Sequence, residues 1–377
     1  MHMLKRAKQL LGRNYRSLNR IEVSGSRLIK NYRYLNSLDP SLGVAPVVKS
    51  NAYGHGISLL TKTLDSLNAP FLCVDSLFEA YELAKAGVKT RILIMGFVHP
   101  ESLKTKRLPF SFAVVDREQV DALARFQPHA PVHLFLDTGM HREGVALEGL
   151  NDLASYALRK NLEIEGLMSH FAMAEKPGTS LTKNQLVAFR RAQQLLRAVA
   201  DPKWIHIANS SGLLNHQKLG KGLGNLARVG IAFYGYARHR IGSRLRPALE
   251  LKTTLAHVKR LKKGDRSGYD FTFTAKRSLS VGILPIGYND GVDRRLSGTG
   301  VVTIGGRQCP IIGRVNMNIT SVDISVVKAP SPGKSVNVFS RNPKHKNSLR
   351  NAAAACGTIA HDLLVHLHPS TKRVLVK

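Results

Sequence analysis

A chain of 377 residues with 43% hydrophobic residues has enough apolar material for more than one core, so it reads as globular and long enough for two domains. No run approaches the roughly 20 apolar residues of a membrane span, and the start MHMLKRAKQLLGRNYRSLNR lacks a signal-peptide pattern, which points to a cytoplasmic protein with no membrane partner. The net charge of +31 raises the question of polyanions, but the basic residues are scattered and aromatics for base stacking make up only 6%, which argues against nucleic acid as a partner.

Residues 1–20 are basic and helical in pattern and are set apart as a segment that could pack with the C-terminal domain. From residue 21 to 247 short apolar runs alternate with helical patterns, as repeated βα units do. The strand candidates are Val44 to Lys49, Phe71 to Asp75, Ile92 to Met95, Phe112 to Val115, Val132 to Asp137, Ile164 to Ser169, Trp204 to Asn209 and Leu226 to Gly230. Helical stretches such as Leu77 to Ala86, Glu118 to Phe126 and Leu181 to Ala200 lie between them. Eight such units close a (β/α)8 barrel and place functional residues at the carboxyl ends of strands. After Pro247 the character changes. Leu249 to Leu261, Leu279 to Pro285, Val301 to Ile304, Pro310 to Ile312 and Ile319 to Ile324 read as strands without long helices between them, so 248–377 is expected to be a mostly antiparallel β domain with a short helix over Asn347 to Cys356. The fold class is therefore α/β, a barrel followed by a β-rich domain. Cys73, Cys309 and Cys356 are widely spaced, so buried free thiols are expected rather than a metal site or a disulfide framework.

Several strand ends carry residues that could do chemistry. In GVAPVVKSNAYGHG, Lys49 sits at the end of an apolar run and before turn formers, where an amine walled by apolar groups would become a nucleophile for an aldehyde cofactor. On position alone a plain surface lysine fits at least as well. HLFLDTGMHREGV presents Arg142 in a loop, suited to a phenolate or carboxylate, with a salt bridge to Glu143 as the ordinary alternative. His170 ends LEIEGLMSH, and IHIANSSGLL supplies His206, Asn209, Ser210 and Ser211 at a strand-to-helix junction. Arg228 and Gly230 lie in RVGIAFYG, where the glycine permits close backbone approach.

The string VVKSNAYGHG closely resembles the lysine segment of the alanine racemase family of pyridoxal 5'-phosphate (PLP) enzymes, and the resemblance recurs from about Ile21 to about Ile359. It implies that Lys49 holds PLP covalently and that Tyr53 hydrogen-bonds its phosphate. Arg142 would touch the PLP phenolic oxygen and the substrate, and His170 would pack beneath the pyridine ring. Asn209, Ser210, Gly230 and Ile231 would surround the phosphate, and Arg228 would face the pyridine nitrogen. In the second domain RSGYDFTFTAKR places Tyr269 where the family has its second base, supplied by the partner subunit of a head-to-tail homodimer, and IIGRVNMNIT places the Met317 backbone at the substrate. The activity implied is racemisation of alanine by two bases, Lys49 and Tyr269, to supply D-alanine for peptidoglycan. Three departures stand out: Phe135 replaces a carboxylated lysine, Asn318 replaces an aspartate, and no tyrosine follows Tyr288. A racemase of broader or other specificity, for serine or basic amino acids, shares all these motifs, and a PLP-binding protein of low activity also fits.

Overall fold

The computed structural model describes residues 17–237 and 244–377, so most of the basic segment expected over 1–20 lies outside the described residues. The chain divides into two compact units.

The first unit comprises Ser24–Ala248 with Leu375–Lys377. Strand β1 (Arg20–Ser24) leads into it through helix α1 (Gly25–Asn36), which Ser24 caps by accepting the Arg27 N–H. Eight parallel strands follow: β2 (Gly43–Pro46), β3 (Leu72–Val74), β4 (Ile92–Ile94), β5 (Phe110–Val114), β6 (Pro131–Phe135), β7 (Glu163–Met168), β8 (Trp204–His206) and β9 (Leu226–Val229). Strands β3 to β8 form one sheet and β2 pairs with β9. The two groups join at both seams. Val48 N–H donates to Cys73 O at 2.8 Å on one side, and Arg228 N–H donates to Ala208 O at 2.9 Å on the other, so pairing runs round all eight strands as a barrel. The strands form because their residues are apolar on both faces: β3 (LCV) and β4 (ILI) are entirely buried, as strands covered by helices must be. Ala45, Val47, Phe71, Cys73, Leu93 and Leu226 pack together as a core cluster.

Helices α2 (Thr61–Asp65), α3 (Leu77–Lys85), α4 (Arg117–Phe126), α5 (Leu150–Arg159), α6 (Ser180–Leu196) and α7 (Ser210–Leu214) connect the strands. Their starts follow ordinary capping chemistry, with Ser76, Asp116 and Thr179 accepting the backbone N–H three residues on. Because all eight strands run the same way, the segments that follow β2, β6, β7, β8 and β9 gather on one rim. Every strand expected in this part is present, though most stop earlier than the apolar run suggests.

The second unit contains residues 17–23 and Leu249–Val374. Its larger sheet has the order β16 (Arg307–Pro310), β15 (Val301–Ile304), β18 (Ser335–Phe339), β10 (Leu249–Thr254), β1 and β19 (Lys372–Val376). A three-stranded antiparallel sheet joins β11 (His257–Leu261), β14 (Leu279–Leu284) and β17 (Thr320–Asp323), and β12 (Arg266–Ser267) pairs with β13 (Phe273–Thr274). The single strand expected over Leu249 to Leu261 is in fact two strands of different sheets, parted at Leu255 and Ala256. Strands β1, β12, β13, β18 and β19 were not foreseen, and the strand expected over Pro310 to Ile312 lies earlier, at Arg307–Pro310. The expected short helix is present as Leu349–Ala355, capped by Ser348. All three cysteines are free and buried.

Candidate active site

The lysine expected at a strand end lies three residues beyond it. Strand β2 ends at Pro46, Val47 N–H donates to Val229 O at 2.9 Å, and Lys49 then opens a tight turn. Ser50, Asn51, Ala52 and Tyr53 have φ of 55°, 54°, 54° and 50°, four successive residues in the left-handed region. Each non-glycine residue there costs about 1–2 kcal/mol, so the turn must be held from outside. Asn51 Oδ1 accepts the Ile57 N–H at 2.8 Å, and Gly54 and Gly56, both at positive φ, donate to Ser50 O and Asn51 O. The Glu79 carboxylate, from the first turn of α3, accepts the Ser50 N–H with one oxygen and the Asp75 N–H with the other at 3.0 Å. Lys49 Nζ lies 2.9 Å from Asp75 Oδ1.

Tyr53 ends this turn. Its ring rests on Tyr234 with centroids 5.0 Å apart, and the Tyr234 hydroxyl donates to Val47 O at 3.0 Å. Burial, followed by the nearby Asp75 charge, pushes the Tyr53 phenol up to about 12, so it remains a donor. Its hydroxyl sits directly against Gly230, where a Cβ would come within 2.4 Å of it. Ser210 Oγ accepts the Ala232 N–H at 3.3 Å beside it, and Asn209 caps α7 by accepting the Gly212 N–H at 2.9 Å. Tyr53, Ser210, Gly230 and Ile231 thus share one part of the rim.

Arg228 is buried at the end of β9. One terminal nitrogen lies 2.6 Å from His206 Nδ1, and the other donates to Ser169 O at 2.5 Å and lies 3.2 Å from His170 Nδ1. A guanidinium cannot accept, so His206 Nδ1 must; the proton then sits on Nε2 and points at His133 Nδ1, 2.8 Å away. His133 Nε2 in turn faces Glu165 at 3.4 Å, and Glu165 is held by Arg91 at 2.5 Å and by Ser111 at 2.7 Å. Burial and then Arg228 keep both His206 and His170 well below the usual imidazole range, with His170 near 3, so both are neutral. Burial lowers Arg228 to about 10, which still leaves it charged at neutral pH.

Arg142 follows β6 in a loop nested on Asp137, whose Oδ1 accepts the N–H groups of Gly139, Met140 and His141. Its guanidinium meets Glu143 at 3.2 Å, the ordinary partner foreseen from the sequence, yet its charge also depresses His170. Phe135, at the end of β6, is buried. In the second unit Tyr269 occupies a turn in which Asp270 and Phe271 have φ of 57° and 44°, and Asp270 pairs with Arg314 at 2.9 Å. Tyr288 and Asn289 donate backbone N–H groups to Asn316 O and Met317 O. Tyr269 is 69% exposed and Met317 56%, so both are open to a partner on this unit's surface.

The sequence model described as "Alanine racemase, N-terminal domain" matches residues 23–238, and that of the C-terminal domain matches 248–375. The chain belongs to the alanine racemase family. It is 32% identical to an alanine racemase of Syntrophobacter fumaroxidans over 91% of this chain and 93% of that one, and 36% identical to one of Levilactobacillus brevis over 84% and 86%. Among solved structures, alanine racemase from a D-cycloserine-producing Streptomyces lavendulae superposes with a TM-score of 0.88 at 27% identity, covering 97% of this chain and 98% of that one. The Bacillus anthracis alanine racemase with bound L-Ala-P superposes at 0.87 and 28% identity, covering 96% of each. Alanine racemases are isomerases, and the barrel and β-rich architecture here is theirs.

Within the barrel unit the fold brings Lys49, Tyr53, His170, Asn209, Ser210, Arg228, Gly230 and Ile231 to one rim, with Arg142 close enough to act electrostatically on His170. Sequence reasoning missed Asp75 and Glu79. The pattern Ser76-x-x-Glu79 was visible as a helix start, but its carboxylate reaches past the cap to a different loop. Glu165 and His133 were missed as well, since each reads alone as an interior polar residue of a strand.

Proposed function

We propose that the chain interconverts L- and D-alanine with PLP as its cofactor. The observation that carries the reading is the family match across both units, and the rim residues fit a phosphorylated aldehyde. A primary amine stands on a fixed turn, a protonated phenol lies over a glycine with no room for a Cβ, a buried serine stands next to it, and a buried guanidinium lies deeper in the barrel.

In this reading Lys49 Nζ tethers the cofactor, while Tyr53, Ser210, Gly230 and Ile231 hold the phosphate and Asn209 orders their loop. Arg228 would serve the ring nitrogen as a donor that keeps its own proton, neutral His170 would support the ring, and Arg142 would meet the phenolic oxygen and the substrate carboxylate. The Met317 backbone borders the substrate. When bound, the cofactor supplies an electron sink that acidifies the hydrogen on the substrate Cα. Racemisation then requires a proton to leave one face and arrive on the other. Lys49 Nζ carries it on one face. Tyr269 of the partner subunit carries it on the other, within a head-to-tail homodimer. Production of D-alanine for peptidoglycan in the cytoplasm belongs to the same reading. Among the described residues no helix is long and apolar enough to cross a membrane.

The test is circular dichroism of D-alanine mixed with PLP-loaded protein. The signal should decay to zero with the wild type and stay flat with Lys49→Ala. Borohydride treatment should fix PLP on the peptide that contains Lys49. A steady wild-type signal, or an adduct elsewhere, would refute the assignment.

A further inference from the structure

Among the described residues Asp75 is the acid paired with the proposed cofactor lysine, and its own backbone is fixed in place. It follows β3, its backbone N–H is bound by Glu79 at 3.0 Å, and its carbonyl accepts the Gly96 N–H at 3.0 Å. Gly96 admits no larger residue there, because a Cβ would come within 2.3 Å of that carbonyl. The same Glu79 carboxylate binds the Ser50 N–H, so one acid fixes the backbones of both the lysine turn and the Asp75 loop. The result is an Nζ to Oδ1 distance of 2.9 Å between side chains that are 38% and 56% exposed. Neither group is sealed from water.

We propose that Asp75 is a positioning residue for Lys49: it receives the ammonium whenever the amine is untethered and holds it over the barrel rim. An ammonium bound to a carboxylate carries a proton on the lone pair that would attack a carbonyl, and is aimed at the acid rather than into the rim. Asp75 therefore restrains the free amine and keeps it within reach of the site when a substrate amine has taken its place. This consequence rests on the reading of Lys49 as the cofactor lysine, but the pairing itself does not.

The test is run on cofactor-free full-length protein, so that it does not depend on PLP. Trace acetylation with acetic anhydride at one fixed pH, followed by peptide mass spectrometry, reports the reactivity of Lys49 relative to Lys62 in the same digest. An exposed pair of this kind changes such a ratio by about two- to fivefold. Asp75→Asn and Asp75→Ala should raise the Lys49 ratio by that factor, and Asp75→Glu should restore it towards the wild type. Raising the salt from about 0.05 to about 1 M, which shortens the screening length about fourfold, should raise the wild-type ratio in the same direction without any substitution. An unchanged ratio in both substitutions, or a wild-type ratio indifferent to salt, would overturn the proposal. Failure of borohydride to fix PLP at Lys49 would instead defeat the functional reading and leave the ion pair standing.

Discussion

Gly230→Ala places a direct steric demand on Tyr53 at the barrel rim. The added methyl would lie 2.4 Å from the Tyr53 hydroxyl and 2.9 Å from its Cζ. Favourable contacts between carbon atoms lie near 3.5–4.0 Å, so the Tyr53 ring has to retreat by about 1 Å. It has little freedom to do so. Tyr234 backs it, anchored through its own hydroxyl to Val47 O and stacked on His55 with centroids 4.3 Å apart. Overpacking of this kind costs about 1–3 kcal/mol. At about 2 kcal/mol the midpoint of thermal unfolding should fall by about 4–8 °C for a unit of this size. If Tyr53 is also a phosphate ligand, PLP affinity should fall by about thirtyfold for the same energy. Thermal melts and PLP titrations of Gly230→Ala, Tyr53→Phe and the double variant form the assay. Removing the hydroxyl deletes the nearer of the two clashes, so Gly230→Ala should cost about half as much in the Tyr53→Phe background. Equal costs in both backgrounds would refute the argument that the hydroxyl is what occupies the space over Gly230.

Glu79→Ala removes the acceptor of two backbone N–H groups and should cost about 2 kcal/mol, with Glu79→Gln in between because its single carbonyl oxygen serves one of them; a denaturant midpoint matching the wild type would count against the clamp. His170 and His206 are neutral in the fold and ionise below about 6.5 when unfolded. The stability they contribute is therefore present above that pH and is lost as pH falls below it; for His170 the loss runs from about 6.5 towards 3 and reaches about 2 kcal/mol at pH 5. Urea unfolding at pH 5 and 7.5 should show a loss in the wild type that is smaller by about 2 kcal/mol in His170→Asn; identical pH dependence would remove His170 from the account. Glu165 lies in the barrel, where hydrogen bonds from His133, Arg91 and Ser111 outweigh burial and bring its carboxyl to about 2. Glu165→Gln should cost about 1–3 kcal/mol at pH 7 and progressively less as pH falls through 4.5 towards 2, and a cost that does not vary over that range would contradict an ionised Glu165.

The barrel was readable because its strands are continuous apolar runs bounded by turn formers, and a parallel strand covered on both faces cannot look otherwise. The overshoot at strand ends has a physical cause. Val47 and Val48 remain buried and apolar after β2 has ended, so hydrophobicity marks the core rather than the ladder. The second unit was harder. Strand β1 (RIEVS) mixes charges with apolar residues, and its Glu22 lies opposite Glu250 of β10, an arrangement that short-range pattern would disfavour. It holds because Lys252 reaches Glu22 at 2.6 Å and Arg341 reaches Glu250 at 2.9 Å. Those partners come from distant parts of the chain, and no local reading contains them.

The site divides along the same line. Lys49, Arg228 and His170 stand at or just past strand ends, but on type and position alone each fits an ordinary structural role, and it was the family resemblance of the strings around them that singled them out. The conformation that presents Lys49 could not be read in this way. Positive φ at Asn51 is common enough, but Ala52 and Tyr53 carry no sign of it, and composition around them suggests only a loop. Such a turn persists when its neighbours determine it more strongly than its own preferences do. Here that role falls to a carboxylate from the next βα unit, so the aim of the proposed catalytic amine is set by Glu79 and Asp75, residues whose local sequence signals no more than the beginning of a helix.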